Sequence, residues 1–160
     1  MIILDLDIFV QADLRELWSV AGTLLRKNPN AFFAYVPEQQ DVYQSVYGTD
    51  GVNGGLAVMD LERMRKPSYR YNSALERLTK LIGSDCHDAE LRAMPMPYRC
   101  LWDLIDQTVL ANFESIRPEV YVRLPCEWNV QLSLYWYIKR PNSVDLTCKS
   151  IPKIIHANWP

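Results

Sequence analysis

Two aspartates with one residue between them follow the first apolar residues of the chain. Asp5 and Asp7 flank Leu6, directly after residues 1–4. If residues 1–4 form a buried strand, both carboxylates lie at its carboxyl end, where α/β proteins bind their ligands. Carboxylate oxygens suit Mg²⁺ or Mn²⁺, and either ion would in turn hold a diphosphate. A strand end with two solvated acids is the alternative, because Asp-x-Asp also occurs by chance.

Two enzyme classes place Asp-x-Asp after an apolar strand: phosphatases that use the first Asp as nucleophile, and nucleotide-sugar glycosyltransferases. Residues 83–88, Gly-Ser-Asp-Cys-His-Asp, resemble the distal acidic motif of the phosphatases. That motif should follow a strand, whereas here it follows a predicted helix that ends at Ile82. Phe9 stands where the phosphatases have Thr or Val. The phosphatase is therefore the weaker of the two interpretations.

The strand that carries the aspartates has an unusual place in the chain. Residues 1–4 are apolar without alternation, which is typical of a strand covered on both faces inside a parallel sheet. An α/β chain rarely opens with its central strand, so we expect part of this strand to lie open as a sheet edge. The expectation that follows is that the chain is a truncated piece of a longer one.

The next elements predict an α/β arrangement. Asp13, with Glu16 three residues on, predicts a helix through about Leu25. A second buried strand is predicted at 31–36, and this β–α–β order favours a parallel sheet. The residues predicted to pack the helix against the sheet are Leu14, Leu17, Trp18, Ala21 and Leu25. The other predicted elements are helices at 61–65, 73–82 and 108–115 and strands at 56–59, 119–124 and 152–156.

Length and composition exclude several classes of protein. With 160 residues, 49% hydrophobic and 22% charged, the chain is predicted to form one ordinary globular domain. The 17 basic residues nearly balance the 19 acidic ones, for a net charge of −2. This balance argues against nucleic acid or an anionic membrane as the main partner. No apolar run approaches the ~18 residues that span a bilayer, and residues 1–10 carry acids but no basic region of a signal peptide.

Five segments in a fixed order resemble glycosyltransferase family 8. The segment at 124–133, Leu-Pro-Cys-Glu-Trp-Asn-Val-Gln-Leu-Ser, is the most specific and looks closely like the LARGE-type xylosyl- and glucuronyltransferases. The chain is also similar to the glucoside xylosyltransferases. The other four segments are the Asp-x-Asp strand with its helix (4–18), the Val-Asn-Gly-Gly segment (51–65), the Asp-Gln segment (105–110) and the closing Ile-Ile-His-Ala-Asn strand (153–158).

The resemblance implies a fold, an activity and a compartment. The implied fold is α/β, a partial Rossmann-like GT-A fold with a mixed sheet and flanking helices. Residues 1–160 would form a single catalytic domain that lacks the family's N-terminal nucleotide-binding strands. The implied activity is retaining transfer of a sugar of the xylose, glucuronic acid or glucose class from a UDP-sugar to a glycan or glycoprotein acceptor. Mn²⁺ (or Mg²⁺) would be the cofactor, and the Golgi lumen the location.

The resemblance also implies roles for single residues. Asp5, Asp7 and His156 would bind the metal ion, and Asp106 and Gln107 would contact the donor sugar or the acceptor near the reacting carbon. An N-cap at Asp106 is the alternative. The residues expected to bind the nucleotide-sugar are Asp5, Leu6, Asp7, Asn53, Gly54, Gly55 and Asn158, where small residues let the backbone approach the ligand.

Several features leave alternatives open. Cys126 and Cys148 lie where the relatives also carry cysteines, which implies a disulfide, with two unpaired thiols as the alternative. Trp128 and Asn129 would hold the acceptor, although a buried structural Trp is the commoner outcome. The chain ends at Pro160, without the Lys that the family places after its closing strand. A second hypothesis, motivated by the missing N-terminal strands and the open sheet edge, is a non-catalytic, truncated module that binds carbohydrate or pairs with a fuller homologue.

Overall fold

Two β-sheets and one long helix make up the described part of the chain. The computed structural model describes residues 1–39, 51–65, 110–111, 114, 117–132 and 148–157. The strands are β1 (Ile2–Leu4), β2 (Ile8–Val10), β3 (Phe33–Pro37), β4 (Val52–Met59), β5 (Tyr121–Arg123), β6 (Val130–Gln131) and β7 (Ile154–His156). The helices are α1 (Leu14–Lys27) and α2 (Leu61–Met64), with 3₁₀ turns at Pro118–Val120 and Cys126–Trp128. The first sheet has the strand order β1-β4-β3-β5, and the second has the order β2-β7-β6.

Helix α1 begins where its local sequence predicts and ends two residues after the predicted Leu25. The Asp13 side chain caps the first turn by accepting from the backbone N–H of Arg15 at 2.8 Å. Asn28 ends the helix, and its side-chain amide donates to the carbonyl of Leu24 at 2.9 Å. One helix face buries Leu17, Ala21 and Leu25 against the sheet. The prediction that Trp18 belongs to this face is wrong: at the margin of the apolar stripe, its side chain is 55% exposed.

The first sheet is mixed, as the resemblance implied, and the parallel strands that the β–α–β order favoured are separated by an antiparallel strand. Strands β1 and β3 both pair antiparallel with β4, which lies between them, and β5 then pairs parallel with β3. The strand predicted at 56–59 begins earlier, at Val52, and takes Gly54 and Gly55 into its interior. Because β1 and β3 run in the same direction, their carboxyl ends reach the same edge of the sheet.

Strand β1 is not covered on both faces, so that prediction is wrong, whereas the expectation of an open sheet edge is confirmed among the described residues. Among the described residues it pairs with β4 alone, and it lies at the edge of the first sheet. Ile3 remains 37% exposed, while Ile2 and Leu4 pack against the core from the other face. The burial of a strand depends on its neighbours, which its own sequence does not specify.

Two apolar clusters form the core. One contains α1 residues together with Leu56 of β4, Trp128 and Ile154 of β7, all less than a tenth exposed. It thereby joins elements of both sheets. The other contains Phe33 and Tyr35 of β3 with neighbouring side chains. Full burial of a side chain such as Leu or Ile contributes about 1.5–3 kcal/mol relative to exposure. The position of β7 beside β4 is therefore fixed by core packing.

Several predicted elements can be compared with the structure only in part. The helix predicted at 73–82 lies outside the described residues. Of the helix predicted at 108–115, Leu110, Ala111 and Glu114 are described, and they are helical. The strand predicted at 119–124 is a 3₁₀ turn followed by β5, and the strand predicted at 152–156 is the shorter β7. In the described ranges no helix is long and apolar enough to cross a membrane.

Candidate metal-binding site

Asp5, Asp7 and His156 lie together where the two sheets meet. The two aspartates belong to the link between β1 of the first sheet and β2 of the second, and His156 is the last residue of β7. His156 Nε2 lies 3.3 Å from Asp7 Oδ1 and 3.9 Å from Asp5 Oδ2. One possible ligand atom from each residue lies within 4.8 Å of the others. The structure thus brings together three side chains that are far apart in the sequence.

Backbone hydrogen bonds hold this link from both sides. The N–H of Asp5 donates to the carbonyl of Gly55 at 3.0 Å, and the N–H of Ala157 donates to the carbonyl of Asp7 at 2.9 Å. Strand β2 pairs antiparallel with β7, which sets Ile8 opposite His156. The backbones on either side of the cluster are therefore fixed by the sheets themselves.

The side-chain amide of Asn53 lies beside Nδ1 of His156. Its Oδ1 accepts from the N–H of Gly55 at 3.0 Å and from Nδ2 of Asn129 at 2.7 Å, and it lies 3.1 Å from His156 Nδ1. Its Nδ2 donates to Oε2 of Glu38 at 2.9 Å, which fixes the orientation of the amide. An amide oxygen accepts but does not donate, so the proton is assigned to Nδ1 of His156. The lone pair of Nε2 then points toward the two carboxylates.

The donor set fits a divalent cation. An imidazole lone pair and two carboxylates repel one another but share an attraction for a cation placed between them. Two carboxylate oxygens and one imidazole nitrogen suit Mn²⁺, and the carboxylates suit Mg²⁺ as well. His156 is buried, whereas both aspartate side chains are half exposed. The open side of the cluster is therefore the carboxylate side.

Gly55 leaves the space that the His156 ring occupies. A Cβ built on Gly55 would lie 2.2 Å from both Cε1 and Nδ1 of that ring. The ring therefore packs directly on the glycine backbone, and any side chain at this position displaces it. The sequence predicts that the small residues Gly54 and Gly55 admit the ligand. At Gly55 the structure shows instead a close approach by a protein side chain.

Trp128 and Asn129 are buried rather than exposed to an acceptor. Trp128 is fully buried, with Lys153 Nζ at 4.7 Å from the centre of its ring, so the buried structural Trp is confirmed and stacking on an acceptor is not. Asn129 is also buried and donates to Asn53. A disulfide joins Cys126 to Cys148, as the resemblance implied, and it ties the turn before Asn129 to the segment before β7.

A pair of glutamines that the sequence did not single out joins the two sheets. The N–H of Gln39 donates to Oε1 of Gln131, and the N–H of Gln131 donates to Oε1 of Gln39, both at 3.2 Å. Gln39 Nε2 also donates to the carbonyl of Asn129 at 2.9 Å. These residues and Glu38 are buried and polar. Their signal in the sequence was the polar pair Glu38-Gln39 directly after a strand whose carboxyl end shares an edge with β1.

The structure describes only some of the other predicted site residues. Asp106, Gln107 and Asn158 lie outside the described residues. Leu6 is fully exposed between the two aspartates, and its contact with a nucleotide stays a prediction. Gly54 is half buried within β4.

Solved glycosyltransferases share this fold. The chain superimposes on the crystal structure of mouse xyloside xylosyltransferase 1, apo form, with a TM-score of 0.72 and 24% sequence identity, over 98% of this chain and 56% of that chain. It superimposes on the galactosyltransferase LgtC, solved with donor and acceptor sugar analogs, with a TM-score of 0.58 and 14% identity, over 99% of this chain and 52% of that chain. The fold is therefore the GT-A glycosyltransferase fold, as the resemblance implied.

Sugar transferases are also similar to the chain in sequence. Xylosyl- and glucuronyltransferase LARGE2s of Gallus gallus is 30% identical over 169 residues, which cover 100% of this chain and 20% of that protein. Xyloside xylosyltransferase 1 of Homo sapiens is 26% identical over 176 residues, which cover 97% of this chain and 41% of that protein. The chain thus spans less than half the length of these relatives, and no family model matches it. It is a homologue of these xylosyl- and glucuronyltransferases, which confirms the resemblance.

Proposed function

We propose that the chain acts in a retaining glycosyltransferase that moves a sugar from a UDP-sugar to a glycan or glycoprotein acceptor with the help of a divalent cation. The observation that carries the proposal is the cluster of Asp5, Asp7 and His156, in which His156 Nε2 lies 3.3 Å from Asp7 Oδ1 and 3.9 Å from Asp5 Oδ2. The GT-A fold and the similar transferases support the same conclusion. The donor sugar proposed is of the xylose, glucuronic acid or glucose class, and the compartment proposed is the Golgi lumen.

Each residue of the cluster would have its own role in binding the cation. Asp5 and Asp7 supply oxygen ligands and His156 supplies Nε2, which together favour Mn²⁺ or Mg²⁺. When bound, the cation neutralises charge that develops on the departing diphosphate. Because both aspartates are half exposed, their open side leaves room for the diphosphate oxygens. We propose that Asp106 and Gln107 contact the donor sugar or the acceptor, and that Leu6, Gly54 and Asn158 contact the nucleotide-sugar.

Thermal melting with Mn²⁺ and UDP tests the proposed site directly. A ligand that binds only the folded chain adds about 2.7 kcal/mol to the free energy of unfolding at 100 times its Kd, and this raises the melting midpoint. We expect Mn²⁺ plus UDP to raise the midpoint of the wild-type chain. Asp5→Asn removes one ligand charge and should abolish the rise. Asp13→Asn is the matched control, because it removes the same charge at an exposed helix cap outside the cluster.

Turnover assays extend the test to the reaction. Hydrolysis or transfer from UDP-xylose, UDP-glucuronic acid or UDP-glucose should require Mn²⁺ and should fail in Asp5→Asn. Robust turnover after removal of all divalent cations would refute the proposal. Cleavage of a generic phosphoester with Mg²⁺, and no response to any UDP-sugar, would favour the phosphatase interpretation instead.

A further inference from the structure

Behind the candidate ligand His156 lies a buried chain of polar side chains, in which the amide of Asn53 bonds to protein groups, so the contact of Asn53 with the nucleotide-sugar stays a prediction. Glu38 accepts a hydrogen bond from Asn53, whose oxygen lies 3.1 Å from His156 Nδ1. We propose that Glu38 and Asn53 are positioning residues, which hold His156 in the tautomer that binds a metal ion and thereby tighten the binding of divalent cations. This inference rests on the proposed metal site.

The first step concerns the tautomer of the histidine. A neutral imidazole carries one proton, and a proton on Nε2 would occupy the lone pair that faces Asp5 and Asp7. A hydrogen bond from Nδ1–H to an acceptor keeps Nε2 free of that proton. In metalloproteins, ligating histidines are commonly oriented by such a partner on the other nitrogen. Asn53 Oδ1 is placed to be this partner.

The second step concerns the orientation of Asn53. An asparagine amide can turn by half a rotation, and its NH₂ would then donate to Nδ1 and favour the wrong tautomer of His156. In that orientation Oδ1 would face the carboxylate of Glu38, and two acceptors would meet in a buried site. Glu38 therefore disfavours the turned amide, and the donors from Gly55 and Asn129 act in the same direction.

The third step concerns the strength of the effect. Glu38, Asn53, Asn129 and His156 are all less than a tenth exposed, so water screens their hydrogen bonds weakly. The carboxylate of Glu38 polarises the amide of Asn53, which in turn polarises the imidazole and makes Nε2 a better electron-pair donor. Loss of such an outer partner commonly weakens metal binding by about 10- to 100-fold.

The residue that follows Glu38, Gln39, provides a matched control. Gln39 is as buried as Glu38 and also bridges the two sheets, but its hydrogen bonds run to Gln131 and to the backbone of Asn129. Gln39→Ala and Glu38→Ala should therefore cause similar losses of stability. Only Glu38→Ala removes a group that acts on Asn53 and, through it, on His156.

Two measurements on the full chain test the proposal. Titration of free Mn²⁺ by electron paramagnetic resonance gives the Kd, and the ¹⁵N shifts of the imidazole at about pH 8.5, where imidazoles are ordinarily neutral, report the tautomer without any metal. The chain has 2 histidines, so a His87→Gln variant assigns His156. We expect Nδ1–H in the wild type, a mixture of tautomers in Glu38→Ala, and a Kd about 10-fold weaker in that variant. Gln39→Ala should keep the tautomer and a Kd within about 2-fold.

Glu38→Gln keeps the proposal testable if Glu38→Ala does not fold. Its amide offers an acceptor to Asn53 but also allows the turned orientation, so we expect a Kd about 3-fold weaker and a detectable share of Nε2–H. An unchanged tautomer in every folded Glu38 variant would overturn the proposal, even if Mn²⁺ binds. Equal weakening by Gln39→Ala would overturn it as well. If the wild type binds no Mn²⁺ but the tautomer still responds to Glu38, the metal function fails and the positioning role is supported.

Discussion

Gly55→Ala should separate the metal site from the fold. A Cβ at position 55 would lie 2.2 Å from two atoms of the His156 ring, so the ring must retreat by more than about 1 Å to reach van der Waals distance. Metal–ligand distances tolerate only about 0.2 Å, so this displacement removes His156 from the ligand set. It also breaks the 3.1 Å contact of the ring with Asn53. Crowding of a packed interior typically costs about 1–3 kcal/mol.

Metal titration and a double-mutant cycle measure this effect. We expect Gly55→Ala to weaken Mn²⁺ binding as much as His156→Ala does. In the His156→Ala background the added methyl fills the space of the missing ring, so Gly55→Ala should then cost almost nothing. Gly22→Ala is the control for the substitution itself, because its Cβ would meet only the flexible end of Arg26, at 3.3 Å. Wild-type Mn²⁺ affinity in Gly55→Ala would refute the reasoning.

Three further predictions concern the frame around the site. Replacing Cys126 and Cys148 by Ser opens a loop of 22 residues and should lower the free energy of unfolding by about 3 kcal/mol in urea titrations, without an effect in samples already treated with reductant. Burial and the bond to Glu114 raise the pKa of Tyr35 far above its usual value. The stability that this shift provides is complete below about pH 10 and is lost as the pH rises above it, because the unfolded chain then releases the proton. Tyr35→Phe should therefore reduce that loss at high pH, measured against the wild type, and should cost about 1–2 kcal/mol at neutral pH. Arg63 donates to the carbonyls of Leu25 and Ala31 at 2.8 Å and 2.7 Å, so Arg63→Ala should lower the free energy of unfolding by about 2 kcal/mol, and an unchanged melting midpoint would contradict this.

The helix could be predicted from the sequence because its signals are local. Asp13 caps its first turn and Asn28 ends it, and both side chains act within four residues of their own position. Strand β1 could be predicted only in part. Its place at the start of the chain indicated an open sheet edge, but its apolar residues fit a strand covered on both faces, and its half-exposed state depends on which strands pair with it. Local pattern specifies a strand, whereas the neighbours specify its burial.

The residues of the candidate site also separate into those that the sequence predicts and those that only the structure shows. Asp5 and Asp7 were recognisable because their spacing is itself the signal, and His156 joined them only through the resemblance to known transferases. Glu38 carries no motif, and the motif that contains Asn129 indicated a contact with the acceptor rather than with Asn53. The bonds of both residues to Asn53 exist only because β3, β4 and the turn before β6 meet at one edge. The role of Gly55 depends on a ring from a distant strand. Such contacts follow from tertiary packing and leave no periodic trace in the sequence.

Cation binding and sugar recognition depend on different parts of the chain. The candidate ligands Asp5, Asp7 and His156, and the side chains behind them, all belong to the described sheets, whose core packing and backbone pairing fix them. The residues proposed to contact the sugar, Asp106 and Gln107, belong to a segment whose structure is not described. A chain that binds Mn²⁺ through these side chains but transfers no sugar would therefore retain the metal site without the rest of the machinery. Mn²⁺ affinity in the Asp5, Glu38 and Gly55 variants measures the first property alone, before any donor or acceptor has been identified.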